Sequence, residues 1–170
     1  ATNHESLAER ARYLTTQAKD HPIEYIHNEI GYNYRLTNIQ AAIGCAQLEQ
    51  IDSFIATKRD LSSNYSNSLL RVNGIRVMLE APWAQSCWWM YTIQVNEKVY
   101  GKNSRDVLQH LNSLAIQSRP LWQPIHQSPA YIGYQSYYCN IANRLYREGL
   151  SLPCSIGLTM SEQAKVISAI

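Results

Sequence analysis

The sequence predicts a mixed chain of the α/β (α+β) class: a long linking helix, then a small domain whose mostly antiparallel sheet is covered by helices. Three observations lead there. Apolar residues recur near helical period at Ile39, Ile43, Ala46, Ile51, Phe54, Ile55, Leu61, Tyr65 and Leu69, with no proline among them. Beyond Val72-Asn73-Gly74 the pattern switches to short β-branched and aromatic runs alternating with helical segments. The chain has 170 residues, 45% of them hydrophobic, and a chain near this size hides about 68–70% of its unfolded surface.

Taken in order, the first helix is expected from Glu5 to about Lys19, with Leu7, Ala8, Ala11, Leu14 and Ala18 on its apolar face and Asp20-His21-Pro22 as its stop. Ile23 to Ile30 reads as an extended connector that delivers a tight polar turn at Gly31 and Asn33. Thr37 and Gln40 have capping-box spacing, so the long helix starts near Asn38. Unbroken to Leu70, it would span roughly 50 Å, longer than a small domain needs for its own core. Ile75 to Leu79 has strand composition and stops at Ala81-Pro82. Cys87 to Val95 reads as a central buried strand with Trp88, Trp89 and Tyr91 in the core.

After a loop from Asn96 to Asn103, Ser104 caps a helix carrying Val107, Leu108, Leu111 and Leu114 on one face. Ala115 to Pro120 is expected to return as a short strand that presents Arg119. Pro120, Pro124 and Pro129 make the following segment a shaped loop. Tyr131, Tyr134, Tyr137 and Tyr138 form either a lid or a polar-aromatic surface. Cys139 to Glu148 recovers helical character with Gly149 at its C-cap. Ser151-Leu152-Pro153 is extended, and Thr159 with Glu162 opens a last helix to about Ala169.

Composition narrows the function classes. Lys and Arg number 15 against 13 Asp and Glu, a net charge of +2 without a basic run, so no nucleic-acid footprint is expected. No apolar run approaches the roughly 20 residues of a membrane span, and the N-terminus lacks a secretory signal layout. A cytoplasmic protein is expected. Cys45, Cys87, Cys139 and Cys154 lie far apart with no C-x-x-C pair or histidine at ligand spacing, which predicts reduced, buried thiols and no metal site. The small residues Ala41, Ala42, Gly44, Cys45 and Ala46 let another backbone approach the long helix, which points to a homodimer, with tight packing inside one subunit as the alternative.

Three segments together resemble a known family: HNEIGYNYRLTNIQAAIGCAQLEQID from His27 to Asp52, SRPLWQPIHQSPAY from Ser118 to Tyr131, and LYREGLSLPCSIGLTMSEQAKVISAI at the C-terminus. They resemble the DegT/DnrJ/EryC1/StrS sugar aminotransferases, which depend on pyridoxal phosphate. The resemblance implies the C-terminal part of a fold-type I transferase. Residues 1–36 would close the large cofactor-binding domain and carry a phosphate-contacting turn, 37–70 would form a linking and dimerisation helix, and 71–170 the small C-terminal domain. The implied reaction moves an amino group, usually from glutamate, to a nucleotide-linked keto-sugar for polysaccharide or other glycan synthesis.

The family's Schiff-base lysine lies upstream, in a Gly-rich context resembling N-K-x-x-T-T-G-E-G-G. None of Lys19, Lys58, Lys98, Lys102 and Lys165 has such surroundings, so no catalytic residue is assigned here. Two readings follow: a fragment of a longer enzyme that cannot transaminate alone, or a natural truncation kept as a non-catalytic sugar-binding or dimerising module.

Two constellations carry the expected binding chemistry. Asn33 offers a carboxamide donor next to a helix start, where backbone N–H groups and the helix dipole favour an anion. By its residues alone it reads as a turn asparagine. The resemblance implies that it reaches the cofactor phosphate of the partner subunit, with Arg35 beside it, although Arg35 could equally pair with a carboxylate or with solvent. Arg119, Trp122 and His126 put a guanidinium, an indole and an imidazole on one proline-stiffened loop, a set suited to diphosphate, flat rings and hydroxyls. The resemblance places this R-P-x-x-x-P-x-H segment beside the substrate pocket, where His126 would orient the sugar or assist proton movement. The alternative for His126 is a loop histidine bonded to a backbone carbonyl.

Overall fold

The computed structural model describes residues 2–170, which fall into two compact units, one ending at Gln50 and one running Ile51–Ile170. In the first unit, α1 (Glu5–Thr15) stops four residues short of Lys19. Gln17 at φ 70 and Ala18 at φ 48 turn the backbone left-handed, and Ala18 is fully buried in the turn. The chain then comes back along its own path: Tyr32 N–H donates to Leu14 O at 2.7 Å, Gln17 N–H to Tyr32 O at 3.1 Å and Tyr34 N–H to Thr15 O at 3.1 Å. Asn33 forms an isolated antiparallel bridge with Thr16. The expected tight turn at Gly31 and Asn33 is therefore an extended segment paired to the end of α1.

Gly31 is required by that pairing. A Cβ built on it would lie 2.3 Å from the backbone of both Gln17 and Ala18. The loop between the two paired segments closes around Asp20, whose carboxylate accepts from the Tyr13 hydroxyl at 2.8 Å and from Asn28 N–H at 2.7 Å. Those donors, the Asn28 N–H foremost, hold the Asp20 carboxyl below its ordinary range. Partial burial, followed by the bond to Asp20, pushes the Tyr13 phenol up to about 12. Arg10 pairs with Glu29 across the same loop.

Helix α2 (Asn38–Leu48) starts as its sequence dictates, with the Thr37 side chain accepting from Gln40 N–H and the Gln40 side chain accepting from Thr37 N–H. It ends at Leu48, so the expected unbroken helix to Leu70 is two helices. Gln50 N–H turns to Gln47 O, an i→i−3 bond of 3.2 Å, which tightens the last turn. Helix α3 begins afresh at Ile51 and runs to Leu69.

In the second unit, α3 buries Leu61, Tyr65 and Leu69. Tyr65 and Leu69 pack on a four-stranded sheet of order β1-β2-β4-β3, antiparallel throughout. Its strands are β1 (Ile75–Val77), β2 (Tyr91–Val95), β3 (Arg119–Pro120) and β4 (Gly149–Leu152). Registers Ile75 with Val95 and Ile93 with Leu150 align the apolar residues of neighbouring strands. Strand β4 is buried along its whole length, so both of its faces are covered. Gly149 is the C-cap of the preceding helix, as expected, but with an extended backbone at φ −79, and it opens β4. It is glycine because a Cβ would fall 2.3 Å from Leu121 Cδ1 and 2.5 Å from Leu145 O.

Short helix α4 (Glu97–Tyr100) closes on Gly101 in the left-handed region. Helix α5 (Ser104–Ser113) is capped by Asn103 rather than Ser104, in a reciprocal box with Asp106. It buries Val107 and Leu111, while Leu114 past its end is 52% exposed. Helix α6 (Asn140–Glu148) leads into β4, and α7 (Met160–Ser168) opens with the expected Thr159–Glu162 box. The buried Gln163 of α7 donates to Leu61 O at 2.8 Å and accepts from Asn64 at 2.6 Å, tying α7 to α3. Tyr65 stacks on Tyr91 at 5.0 Å and donates to Pro153 O at 2.8 Å, so the phenol is satisfied where it is buried.

Three further expectations are corrected. Cys45 and Cys87 are exposed, and Cys139 and Cys154 only partly covered, so the thiols are free but not buried. The strand expected from Cys87 begins only at Tyr91, because Trp88 at φ 48 breaks the extension. Trp88 packs against the core, but Trp89 is 69% exposed.

Candidate functional site

Asn33 and Arg35 lie in the first unit, on the extended segment between Gly31 and the start of α2. Both side chains are exposed. Main-chain pairing on α1 fixes the Asn33 backbone, and no hydrogen bond to another described residue engages its carboxamide. Thr37 is occupied by its capping box, bonding Gln40 through both its hydroxyl and its N–H. The first turn of α2 contains no acidic residue. The Asn33 amide and the Arg35 guanidinium remain available on this segment, a pair of donors that fits an anionic group.

The second constellation lies in the second unit. Arg119 opens the edge strand β3, in register with Ser151, and its side chain is exposed. Trp122 is 71% exposed and lies nearly parallel to Trp89, 6.2 Å between centroids with planes 15° apart. His126 sits in a single 3₁₀ turn, Ile125–Gln127. Its Nε2 is 2.7 Å from Asn143 Oδ1 on α6, an oxygen that also accepts from Gln127 Nε2 at 2.7 Å. A carboxamide oxygen only accepts, so Nε2 carries the proton and neutral His126 presents Nδ1 as its free acceptor. The three residues share one segment but neither stack on nor bond to one another among the described residues.

Sequence reasoning missed Asn143 and Trp89. Asn143 holds His126 across 17 positions of sequence, and no local pattern announces such a contact. Strand alternation predicts a core position for Trp89, which is instead exposed. The loop that presents it is pinned by Arg59, which donates to Glu80 at 2.9 Å and to Ser86 O at 2.7 Å. Arg59 foremost, then the Ser86 N–H, hold the Glu80 carboxyl at about 2. Of the tyrosine run, Tyr131, Tyr134, Tyr137 and Tyr138 are 50%, 74%, 80% and 81% exposed, so they form surface. Among the described residues no cluster of His, Cys, Asp or Glu is arranged to hold a metal, and no helix is long and apolar enough to cross a membrane.

The first unit thus carries an amide and an arginine ahead of a capped helix, and the second an antiparallel sheet packed on a long helix. The chain belongs to the DegT/DnrJ/EryC1/StrS aminotransferase family, whose model matches residues 1–170; these aminotransferases are pyridoxal-phosphate dependent. GDP-perosamine synthase of Caulobacter vibrioides is 36% identical over 171 residues, covering 99% of this chain and 46% of that protein. EpsN of Bacillus subtilis is 34% identical, covering 99% of this chain and 44% of that protein. The crystal structure of DesV from S. venezuelae, in complex with a ketimine intermediate, superposes with a TM-score of 0.81 at 28% identity, covering 99% of this chain and 44% of DesV. The chain thus spans less than half the length of these relatives.

Proposed function

We propose that this chain is the C-terminal part of an aminotransferase that moves an amino group, from glutamate, to a nucleotide-linked keto-sugar in polysaccharide or glycan biosynthesis. The single observation that carries the reading is the family match along all 170 residues, seated on a structure whose Asn33 amide is exposed and unengaged. Pyridoxal phosphate, when bound, supplies the electron sink for amino-group transfer. Asn33 donates its amide N–H to the phosphate of the partner subunit's cofactor, and Arg35 adds a charged donor. Arg119 holds the substrate diphosphate, Trp122 takes a ring face, and His126 orients the sugar or accepts a proton at Nδ1, with Asn143 fixing its tautomer.

The partner is a second copy of the chain. No residue of α2 is buried within its own unit, and Gly44 has nothing within 4 Å of where a Cβ would stand, both of which support an association face on this helix. We assign the reaction to the cytoplasm. This chain alone is catalytically incompetent, because it supplies no lysine in the family's anchoring context.

The test is an amino-transfer assay with glutamate and a panel of GDP- and dTDP-linked keto-sugars, using the enzyme that carries these residues together with a lysine domain. Turnover of one panel member is expected. No turnover of any nucleotide keto-sugar, with the cofactor bound, would refute the substrate class. Borohydride treatment of the 170-residue chain with pyridoxal phosphate is expected to label no specific lysine.

A further inference from the structure

The segment ahead of β2 is built in an unusual way. Trp88 adopts a left-handed backbone at φ 48, a conformation bulky L residues avoid and retain only where the surroundings over-determine it. Its effect is to separate two adjacent indoles. Trp88 turns inward, 5.9 Å from Tyr91, and Trp89 turns outward. The Trp89 carbonyl is then clamped: Lys58 Nζ of α3 donates to it at 3.1 Å, and Cys154 Sγ beyond β4 approaches it at 3.4 Å. Lys58 also donates to Cys154 O at 2.5 Å, so one ammonium joins α3 to the loops beside two neighbouring strands.

What this arrangement displays is a pair of open indoles. Trp89 is 69% exposed and Trp122 is 71% exposed, yet their planes are within 15° of parallel. Trp122 is held in turn by a segment flanked by Pro120 and Pro124, which restricts its backbone. Neither ring buries its faces in the core, as an indole used only for packing would. Arg119, three residues before Trp122, has no carboxylate partner among the described residues and so keeps its charge for an anion. Three extended residues span about 10 Å, of the order separating a base from the diphosphate it carries.

We propose that Trp89 and Trp122 form a stacking platform for the base of a nucleotide-linked ligand, with Trp89 as the binding residue not yet assigned. The proposal rests on the nucleotide-sugar reading above and sharpens it to the base. A flat base lies face to face on the end of such a stack, whereas a puckered pyranose meets a ring only through the C–H groups of one face. Stacking of this kind tolerates different bases, since each has a flat π face. The platform therefore selects for a nucleotide over a free sugar phosphate without choosing among nucleotides.

The experiment is calorimetric titration of the protein and its Trp89→Leu, Trp122→Leu and Trp89→Phe variants with GDP, dTDP, pyrophosphate and glucose 1-phosphate. GDP and dTDP are expected to bind about 5- to 100-fold more weakly to each leucine variant, with pyrophosphate unchanged and Trp89→Phe recovering most of the loss. Equal GDP and dTDP affinity in wild type and both leucine variants would overturn the platform while leaving the nucleotide reading intact. Failure of the wild type to bind either nucleotide would overturn both. An equal loss for glucose 1-phosphate would give the surface to a pyranose and overturn the assignment to the base. Circular dichroism of each variant checks folding, which the exposure of both rings leaves undisturbed.

Discussion

Replacing Gly31 by alanine tests how the structure holds Asn33, the proposed phosphate donor. The new methyl would stand 2.3 Å from Ala18 N and Gln17 C and 2.8 Å from Ala18 Cβ. Two of those atoms are main chain, so no rotamer change relieves the overlap. The segment carrying Asn33 must lift off α1 by roughly the missing ångström, the shortfall against ordinary carbon contacts of about 3.5–4 Å. That displacement breaks or lengthens the bonds from Tyr32 N–H to Leu14 O, Gln17 N–H to Tyr32 O and Tyr34 N–H to Thr15 O. Each is worth about 0.5–1.5 kcal/mol net, and their exposed setting puts the combined loss near 1–3 kcal/mol. The opening is local, confined to the first unit. Amide exchange at Tyr32, Tyr34 and Gln17 should therefore accelerate about 5- to 150-fold, while exchange in the sheet stays at its wild-type rate. In the enzyme, cofactor retention should fall with it, because Asn33 no longer points where the pairing aimed it. Unchanged exchange at these three amides would refute the close-approach argument. Faster exchange with undiminished cofactor affinity would refute the link from this backbone to the phosphate.

Other perturbations separate donor, base and scaffold. Asn33→Ala should weaken cofactor retention about 10- to 100-fold, the worth of one hydrogen bond to a charged group, with the melting temperature nearly unmoved; equal affinity would dismiss the phosphate role. His126→Ala should depress turnover on the sugar while the cofactor stays bound, and unchanged kinetics would leave His126 a structural residue. Asn143→Ala should reproduce part of that loss, and Asn143→Asp, which keeps an acceptor, should restore most of it in kcat/KM. The Glu80 carboxyl is lowered to about 2 from an ordinary 4.5 by Arg59 and the Ser86 N–H. A depressed carboxylate stabilises the fold fully above its unfolded value and loses that contribution as pH falls from about 4.5 toward 2. Denaturant titrations of wild type and Glu80→Gln should therefore differ at pH 7 and converge toward pH 2, and parallel curves would show that the Arg59 pair contributes nothing.

Local rules made much of this chain legible. The two threonine boxes at Thr37 and Thr159 each need only a hydroxyl and an amide or carboxylate three residues on, and both form as the spacing requires. Helical period identified α3, because Leu61, Tyr65 and Leu69 recur at intervals of four and face one core. The break at Glu49 and Gln50 has no such signature: neither glycine nor proline marks it, and apolar period continues across it. Trp89 shows why alternation fails ahead of β2. Counting residues two by two assumes an extended backbone, and Trp88 leaves that region just ahead of Trp89, whose carbonyl is bonded by a lysine 31 residues away and a cysteine 65 residues away. The same holds for His126, whose chemistry was readable in its residue type but whose free nitrogen is set by an asparagine on another helix. At Trp89 and at His126 the geometry is accompanied by contacts from residues distant in sequence.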